Sequence, residues 1–318
     1  MYVDPPVVSS AVRRRFRRPS HWYNPDRMTA NENSPDRWIE KETRAAQLLR
    51  SRAGRVVAAL SGGVDSAVLT LVAARALGAE NVVAVTARSA SLPAGDLEDA
   101  ARVAIAAGVR HEVVETRELD RPEYRANAGD RCFHCRTELF EVLEAYALGH
   151  GYETVAYGAI ADDRPEDRPG MAAADARGIL EPLRAAGWTK EDVRAAAAAF
   201  GLDVRDKPAS ACLASRIPTG TPVSSEKLAQ IAAAEAALRS EGIVGGRVRH
   251  HGEIARIEIS PGDWERAVEE PARSRIAAAL RGLGFRYVAL DLDGYRPGGR
   301  PVDREPLVEI GPARDSGQ

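Results

Sequence analysis

The hexapeptide Ser61-Gly62-Gly63-Val64-Asp65-Ser66 constrains this chain more than any other feature. It follows an apolar run, Val56-Val57-Ala58-Ala59-Leu60, and precedes a helical pattern that opens Ala67-Val68-Leu69. That order reads as strand, glycine turn and helix N-terminus. Two glycines remove side chains that would hold an anion away from the backbone N–H groups. The helix start adds unpaired N–H donors and the positive end of a helix dipole. Ser61 and Ser66 offer hydroxyl hydrogen bonds, and Asp65 can hold a cation beside phosphate oxygens. The expectation is a phosphate cradle with a place for Mg²⁺; the plainer alternative is a tight, capped strand-to-helix turn. A Walker A loop does not fit, because the Gly-Lys-Ser/Thr ending is missing, and neither does dinucleotide glycine spacing.

Around this loop, strand patterns at 55–60, 81–86, 110–115 and 153–158 alternate with helical patterns near 66–77, 96–107, 132–148 and 189–200. A further helix is expected from about Pro35 through Leu49. Alternating βαβα with apolar strands predicts an α/β fold, a parallel sheet with helices on both faces. Right-handed crossovers then place the phosphate loop at the carboxyl edge of the first strand. The alternation stops near 202, and a loop rich in Pro, Ser and Gly covers 203–223. Beyond it, a helix from Glu226 to about Ser240, strands 244–250 and 253–259, a helix 263–281 and a strand 285–291 predict a small α+β C-terminal domain. His251-Gly252 reads as a hairpin turn between its first two strands. The expected division is a disordered leader (1–34), an ATP-binding domain (35–202), a cysteine loop (203–223), the α+β domain (224–296) and a flexible tail (297–318).

The formal net charge is −2, which argues against a protein built chiefly to grip nucleic acid. No apolar run approaches membrane-spanning length. The arginine run Arg13-Arg14-Arg15-Phe16-Arg17-Arg18 is not followed by the apolar segment of a secretion signal, so a cytoplasmic protein is expected. Three cysteines are too few and too odd a number for a disulfide framework.

Cys132 and Cys135 form a C-x-x-C at a helix start, with Asp130 as the expected N-cap. Spacing of three puts both sulfurs on one helical face. The helix N-terminus, Arg131 and Arg136 are expected to favour thiolate. Cys212 lies far away in sequence, in the proline-rich loop. Three unrelated thiols, a Cys132–Cys135 disulfide, a zinc site completed by His134, and a [4Fe–4S] cluster on Cys132, Cys135 and Cys212 all remain open at this point.

The hexapeptide resembles the PP-loop signature of ATP pyrophosphatases, which adenylate a substrate oxygen and let a nucleophile displace AMP. Together with Asp130-Arg131-Cys132-Phe133-His134-Cys135-Arg136, Ser210-Ala211-Cys212-Leu213-Ala214-Ser215-Arg216-Ile217-Pro218 and Arg247-Val248-Arg249-His250-His251-Gly252-Glu253-Ile254-Ala255-Arg256-Ile257-Glu258, it resembles the LarE sulfur transferases from about residue 36 to 295. The resemblance implies a PP-loop (adenine nucleotide alpha hydrolase-like) fold, ATP and Mg²⁺. It implies that a carboxylate of pyridinium-3,5-biscarboxylic acid mononucleotide is adenylated and sulfurated on the way to the nickel-pincer nucleotide. Cys212 matches the loop cysteine that gives up its own sulfur in single-cysteine members. The three-cysteine pattern matches members in which a cluster is thought to relay sulfide from a donor the sequence does not reveal. Homo-oligomers are also implied.

Arg136, Arg216, Arg247 and Arg249 are candidates to bind the anionic substrate, because guanidinium forks suit phosphate and carboxylate. Alternation about Val248 puts Arg247 and Arg249 on one side of a strand, where a solvated or ion-paired face is an equal expectation. Asp162 and Asp163, after the strand ending Val155-Ala156-Tyr157-Gly158, are weaker candidates for Mg²⁺ or substrate, and Glu235 matches a family site position. The competing readings are a tRNA thiolation enzyme, an amidating ligase in which the cysteines are incidental, and a nucleotide-binding or iron–sulfur sensor module.

Overall fold

The computed structural model describes residues 37–163, 170–207 and 211–295. The expected leader (1–34) and tail (297–318) lie outside the described residues. Helix α1 (Trp38–Arg52) leads into β1 (Val56–Ala59), α2 (Val64–Leu77), β2 (Val82–Arg88), α3 (Asp96–Ala107) and β3 (Arg110–Glu115). A short α4 (Pro122–Ala126), the long α5 (Arg131–Gly149) and β4 (Thr154–Ala156) follow. Three helices then come in succession, α6 (Met171–Asp175), α7 (Pro182–Ala185) and α8 (Lys190–Ala199).

The four strands form one parallel sheet in the order β3-β2-β1-β4. Every residue of β1 is buried, because the sheet is covered on both sides. Val56 and Ala58 face a core shared with α1, α2, α3 and α8, while Val57 and Ala59 face Phe140, Leu143 and Ala147 of α5. Edge strand β3 carries exposed Arg110 and Glu115, which disfavour pairing with another strand. The chain runs β1, β2, β3 to one side and returns to the other side of β1 for β4. The strand order therefore reverses at β1, where open sheets of this kind hold ligands.

The C-terminal part comprises α9 (Ser225–Ser240), β5 (Arg247–His251), β6 (Ile254–Glu258), α10 (Trp264–Val268), α11 (Ala272–Gly282) and β7 (Tyr287–Leu290). β5 and β6 form the expected antiparallel hairpin, and β7 adds parallel to β6. Val248, Ala255 and Ile257 pack on Leu238, Ile276 and Leu280 of the helices. The single helix expected over 263–281 is two helices instead, broken at Pro271, which has no N–H to continue a helical ladder.

Candidate active site

The loop after β1 turns as its glycines permit. Gly62 has φ +75, and a Cβ there would come within 2.2 Å of the Asp96 carbonyl oxygen. Gly158, after β4, is equally constrained, since a Cβ would meet the Ser66 backbone nitrogen at 2.9 Å. The two loops are thus packed backbone to backbone. Ser66 spends its hydroxyl within the turn, accepting from Ser61 N at 3.1 Å and donating to Gly63 O at 3.0 Å. Gly63 occupies the N-cap position of α2, so no cap side chain intrudes on the helix N-terminus. Asp65, in the first turn, accepts two hydrogen bonds from Lys190 Nζ, at 2.8 and 2.7 Å.

These residues line a cavity of about 330 Å³ at the carboxyl ends of the strands. Its walls include Ser61, Gly63, Asp65 and Ser66 on one side and Cys135 and Cys212 on the other. Lys190 and Lys207 also line it, although the sequence reading had assigned neither a role. Lys190 opens α8 behind a capping box made by Thr189 and Asp192. Lys207 Nζ donates to Gly62 O at 3.0 Å and pairs with Asp96 at 2.8 Å and with Asp99. Both lysines stand beside the phosphate loop while held by carboxylates, and both had a visible signal: a Thr-x-x-Asp helix start and a Lys-Pro step leading into the cysteine loop. Arg136 lies on the same wall, its guanidinium 4.4 Å from the centre of the Tyr157 ring.

The cysteine loop is held from several directions. Leu213 N donates to Ser91 O at 2.8 Å, and Arg131 Nη1 donates to Ala214 O at 2.8 Å. Arg216 is 2% exposed. Its Nε donates to Glu235 Oε1 at 2.8 Å, and its Nη1 reaches Ala211 O at 2.7 Å and Cys212 O at 3.0 Å. Glu235 is itself buried and also accepts from Val248 N at 3.2 Å. Arg216, a substrate candidate in the sequence, and Glu235, a weaker site candidate, are partners that hold the backbone at Cys212 in place. The sequence could not show this, because the pairing joins a loop to a helix face.

Cys135 and Cys212 pack together in a cluster with Tyr124, Leu213 and Ala214, and Cys132 is exposed. The expected thiolate character fails at Cys135: burial, then the neighbouring Cys212, Glu118 and Cys132, push its thiol up to about 12 against the opposing pull of Arg136. Arg131 is committed to Asn127 and the Ala214 carbonyl. Asp130 occupies the N-cap position of α5 without a side-chain cap bond; its carboxylate lies 3.1 Å from His134 Nε2. Among the described residues, no group of three or more His, Cys, Asp or Glu is arranged to hold a metal ion. The zinc set with His134 is therefore not assembled, and a three-thiol set would need Cys132 to turn inward.

Of the strand arginines, Arg247 is buried beneath Tyr295 at 5.1 Å and donates to Gly245 O at 2.9 Å. Burial and the nearby Arg216 lower its pKa. Arg249 binds Glu258 at 2.7 Å and Ser215 O at 3.0 Å. Arg249 also faces a second cavity of about 410 Å³, with Arg216, His251, Arg256 and Glu258. Asp162 accepts from Lys190 N at 2.6 Å, and Asp163 is buried, accepting from Ile160 N at 3.2 Å. Neither Asp162 nor Asp163 lines the main cavity; both brace the turn that delivers Lys190.

Glu118 gave no signal in the sequence. It opens the turn after β3, is 2% exposed, and lines the cavity.

Residues 40–132 match the NAD synthase family. An uncharacterized protein of Synechocystis sp. is 41% identical over 244 residues, covering 77% of this chain and 91% of its own. A tRNA-specific 2-thiouridylase of Xanthobacter autotrophicus is 36% identical over 194 residues, only 49% of each chain. The pyridinium-3,5-bisthiocarboxylic acid mononucleotide synthase of Lactiplantibacillus plantarum is 35% identical over 247 residues, 77% of this chain and 88% of that enzyme. Likeness of that extent, on a phosphate loop that shares its cavity with the loop cysteine, makes this chain a member of the LarE family of ATP-using PP-loop sulfur transferases.

Proposed function

We propose that the protein adenylates a carboxylate of pyridinium-3,5-biscarboxylic acid mononucleotide and converts it to a thiocarboxylate, with Cys212 delivering the sulfur. The observation that carries this reading is the single cavity lined by both the phosphate loop and Cys212. A carboxylate resists attack because oxide is a poor leaving group, and adenylation removes that obstacle. In this reading the N–H groups of the loop and Lys190 and Lys207 receive the ATP phosphates, exchanging their carboxylate partners for phosphate oxygens. Asp65, released from Lys190, holds Mg²⁺. Among the described residues Arg136 makes no hydrogen bond or ion pair while stacked on Tyr157, so it is the arginine best placed to meet a substrate anion. Arg249 serves the same role at the second cavity, while Arg247 and Arg216 support the strand and the loop.

The finer reading places a [4Fe–4S] cluster on Cys132, Cys135 and Cys212, which would supply an open iron able to carry sulfide. Cys135 and Cys212 lining one cavity supports it, although the exposed Cys132 must turn toward that cavity. Iron and acid-labile sulfide analysis after anaerobic reconstitution tests this point; wild type holding iron that all three Cys→Ser variants lose is the expected result.

The experiment for the main reading supplies ATP, Mg²⁺ and the mononucleotide, then follows pyrophosphate and the mass of the product. Pyrophosphate release dependent on the mononucleotide, with sulfur replacing oxygen in the product, is expected. Release dependent on tRNA instead would favour the thiouridylase chemistry of the more partial relatives.

A further inference from the structure

Glu118 presents a buried carboxylate oxygen with nothing to bind. The residue lines the same cavity as Cys135 and Cys212. Oε1 has no hydrogen-bond partner, and the residue is 2% exposed. Arg136, on the same wall, is stacked on Tyr157, and three further polar groups are committed elsewhere. The Tyr124 hydroxyl is 2.5 Å from Ser91 Oγ, Lys190 is on Asp65, and Lys207 is on Asp96 and Gly62 O. A buried charge left unpaired is costly, so its retention calls for a partner supplied from outside the chain.

The surroundings indicate what kind of partner. A hydrated hard cation needs several oxygen ligands, and no such group is assembled among the described residues. The neighbouring wall is sulfur, aromatic and aliphatic: Cys135, Cys212, Tyr157 and Leu139. Such a wall suits a flat, delocalised organic cation. We infer that Glu118 is the counter-ion for the positively charged ring of the substrate, a specificity determinant that seats a pyridinium rather than a neutral aromatic dicarboxylate beside Cys212. This rests on the functional reading above. It gives the cavity both signs a zwitterionic substrate requires, Arg136 for a carboxylate or phosphate and Glu118 for the ring.

The test uses the full chain with Mg²⁺ and an ATP analogue that cannot be cleaved between the α and β phosphates. Titration calorimetry measures binding of pyridinium-3,5-biscarboxylic acid mononucleotide to wild type and Glu118→Gln. Competition then compares N-methylpyridinium-3,5-dicarboxylate with 5-methylbenzene-1,3-dicarboxylate, probes of one shape that differ in ring charge. Glu118→Gln is expected to bind the mononucleotide about tenfold or more weakly, as for loss of one member of a buried charge pair. Its preference for the charged probe should fall to near parity, and Glu118→Asp should recover part of it. Because Oε1 has no partner in the free protein, Tm of Glu118→Gln should match or exceed wild type. A variant that keeps the wild-type preference, or one that melts lower, overturns the assignment while leaving the functional reading intact. A wild-type protein that does not bind the mononucleotide at all overturns that reading, and the assignment with it.

Discussion

Glu235→Gln isolates an ion pair that joins the cysteine loop to the C-terminal part. In the native protein the side chains of Arg216 and Glu235 are 1% and 4% exposed, so neither charge is screened by water. Removing the carboxylate charge leaves the Arg216 guanidinium buried among the carbonyls of Ala211 and Cys212 without a counter-charge. Breaking a buried pair in this way costs about 3–5 kcal/mol. Glutamine can still accept one of the two hydrogen bonds, so the low end, about 3 kcal/mol, is expected. For a chain of this size that corresponds to a drop in Tm of about 6–12 °C. Urea unfolding of wild type, Glu235→Gln, Arg216→Met, Glu235→Leu and the Arg216→Met/Glu235→Leu double variant completes the cycle. The double variant should regain most of the lost stability, because two apolar side chains have no buried charge to solvate. It should still fail in sulfur transfer, because the Ala211 and Cys212 carbonyls have lost the donor that fixes the loop. A Glu235→Gln variant within about 1 kcal/mol of wild type would refute the energetic argument. A double variant with restored sulfur transfer would refute the positioning role.

Cys212→Ala should abolish thiocarboxylate formation while pyrophosphate release that depends on the mononucleotide remains measurable; unchanged product would remove Cys212 from the reaction. Asp65→Ala should lose pyrophosphate release itself, and retention of the wild-type rate would exclude it as the Mg²⁺ ligand. Lys207→Met, which cuts the link between Gly62 O and the cysteine loop, should lower both half-reactions, and pyrophosphate release at the wild-type rate would show that Lys207 serves only the loop. Cys135 should be alkylated slowly near neutral pH, and because its thiol is pushed up to about 12, the rate should keep rising with pH beyond the point where an ordinary cysteine levels off. Peptide mapping after iodoacetamide labelling across a pH series measures this, and a plateau near pH 9 would contradict the burial argument.

The strand, glycine turn and helix around Ser61–Ser66 were legible because each signal is local: an apolar run, a glycine pair whose first member has positive φ, a helical period. The parallel sheet followed from alternation alone, and its order reverses at β1, beside the phosphate loop. The meeting of Cys135 with Cys212 was foreshadowed only by family resemblance, since 76 positions separate them and no local rule joins them. What the sequence hid was burial. Arginines on a strand and in a loop read equally as substrate ligands or as a solvated or ion-paired face, and Arg216 and Arg247 are enclosed and occupied. A cysteine beside Arg136 at a helix start read as a thiolate, yet desolvation outweighs the charge and the dipole. The break at Pro271 was legible from the residue itself, but apolar periodicity on both sides concealed it.

Under the proposed function, the placement of the tethers lets one loop serve two half-reactions. Lys207 attaches the start of the cysteine loop to the phosphate loop, through Gly62 O, and to the first turn of α3, through Asp96. Leu213 attaches the residue after Cys212 to Ser91, on the segment that lines the same cavity. Arg131 attaches Ala214 to the helix that carries Cys135, and Arg249 attaches Ser215 to the C-terminal sheet. Any ligand that draws Lys207 from Asp96 toward a phosphate therefore pulls on the backbone five residues before Cys212. An acyl adenylate is prone to hydrolysis, so a sulfur nucleophile is useful only if it is already aligned when the adenylate forms. A cysteine loop tied through Lys207 to the phosphate loop meets that requirement, because nucleotide binding and sulfur placement would then be changes in one set of contacts.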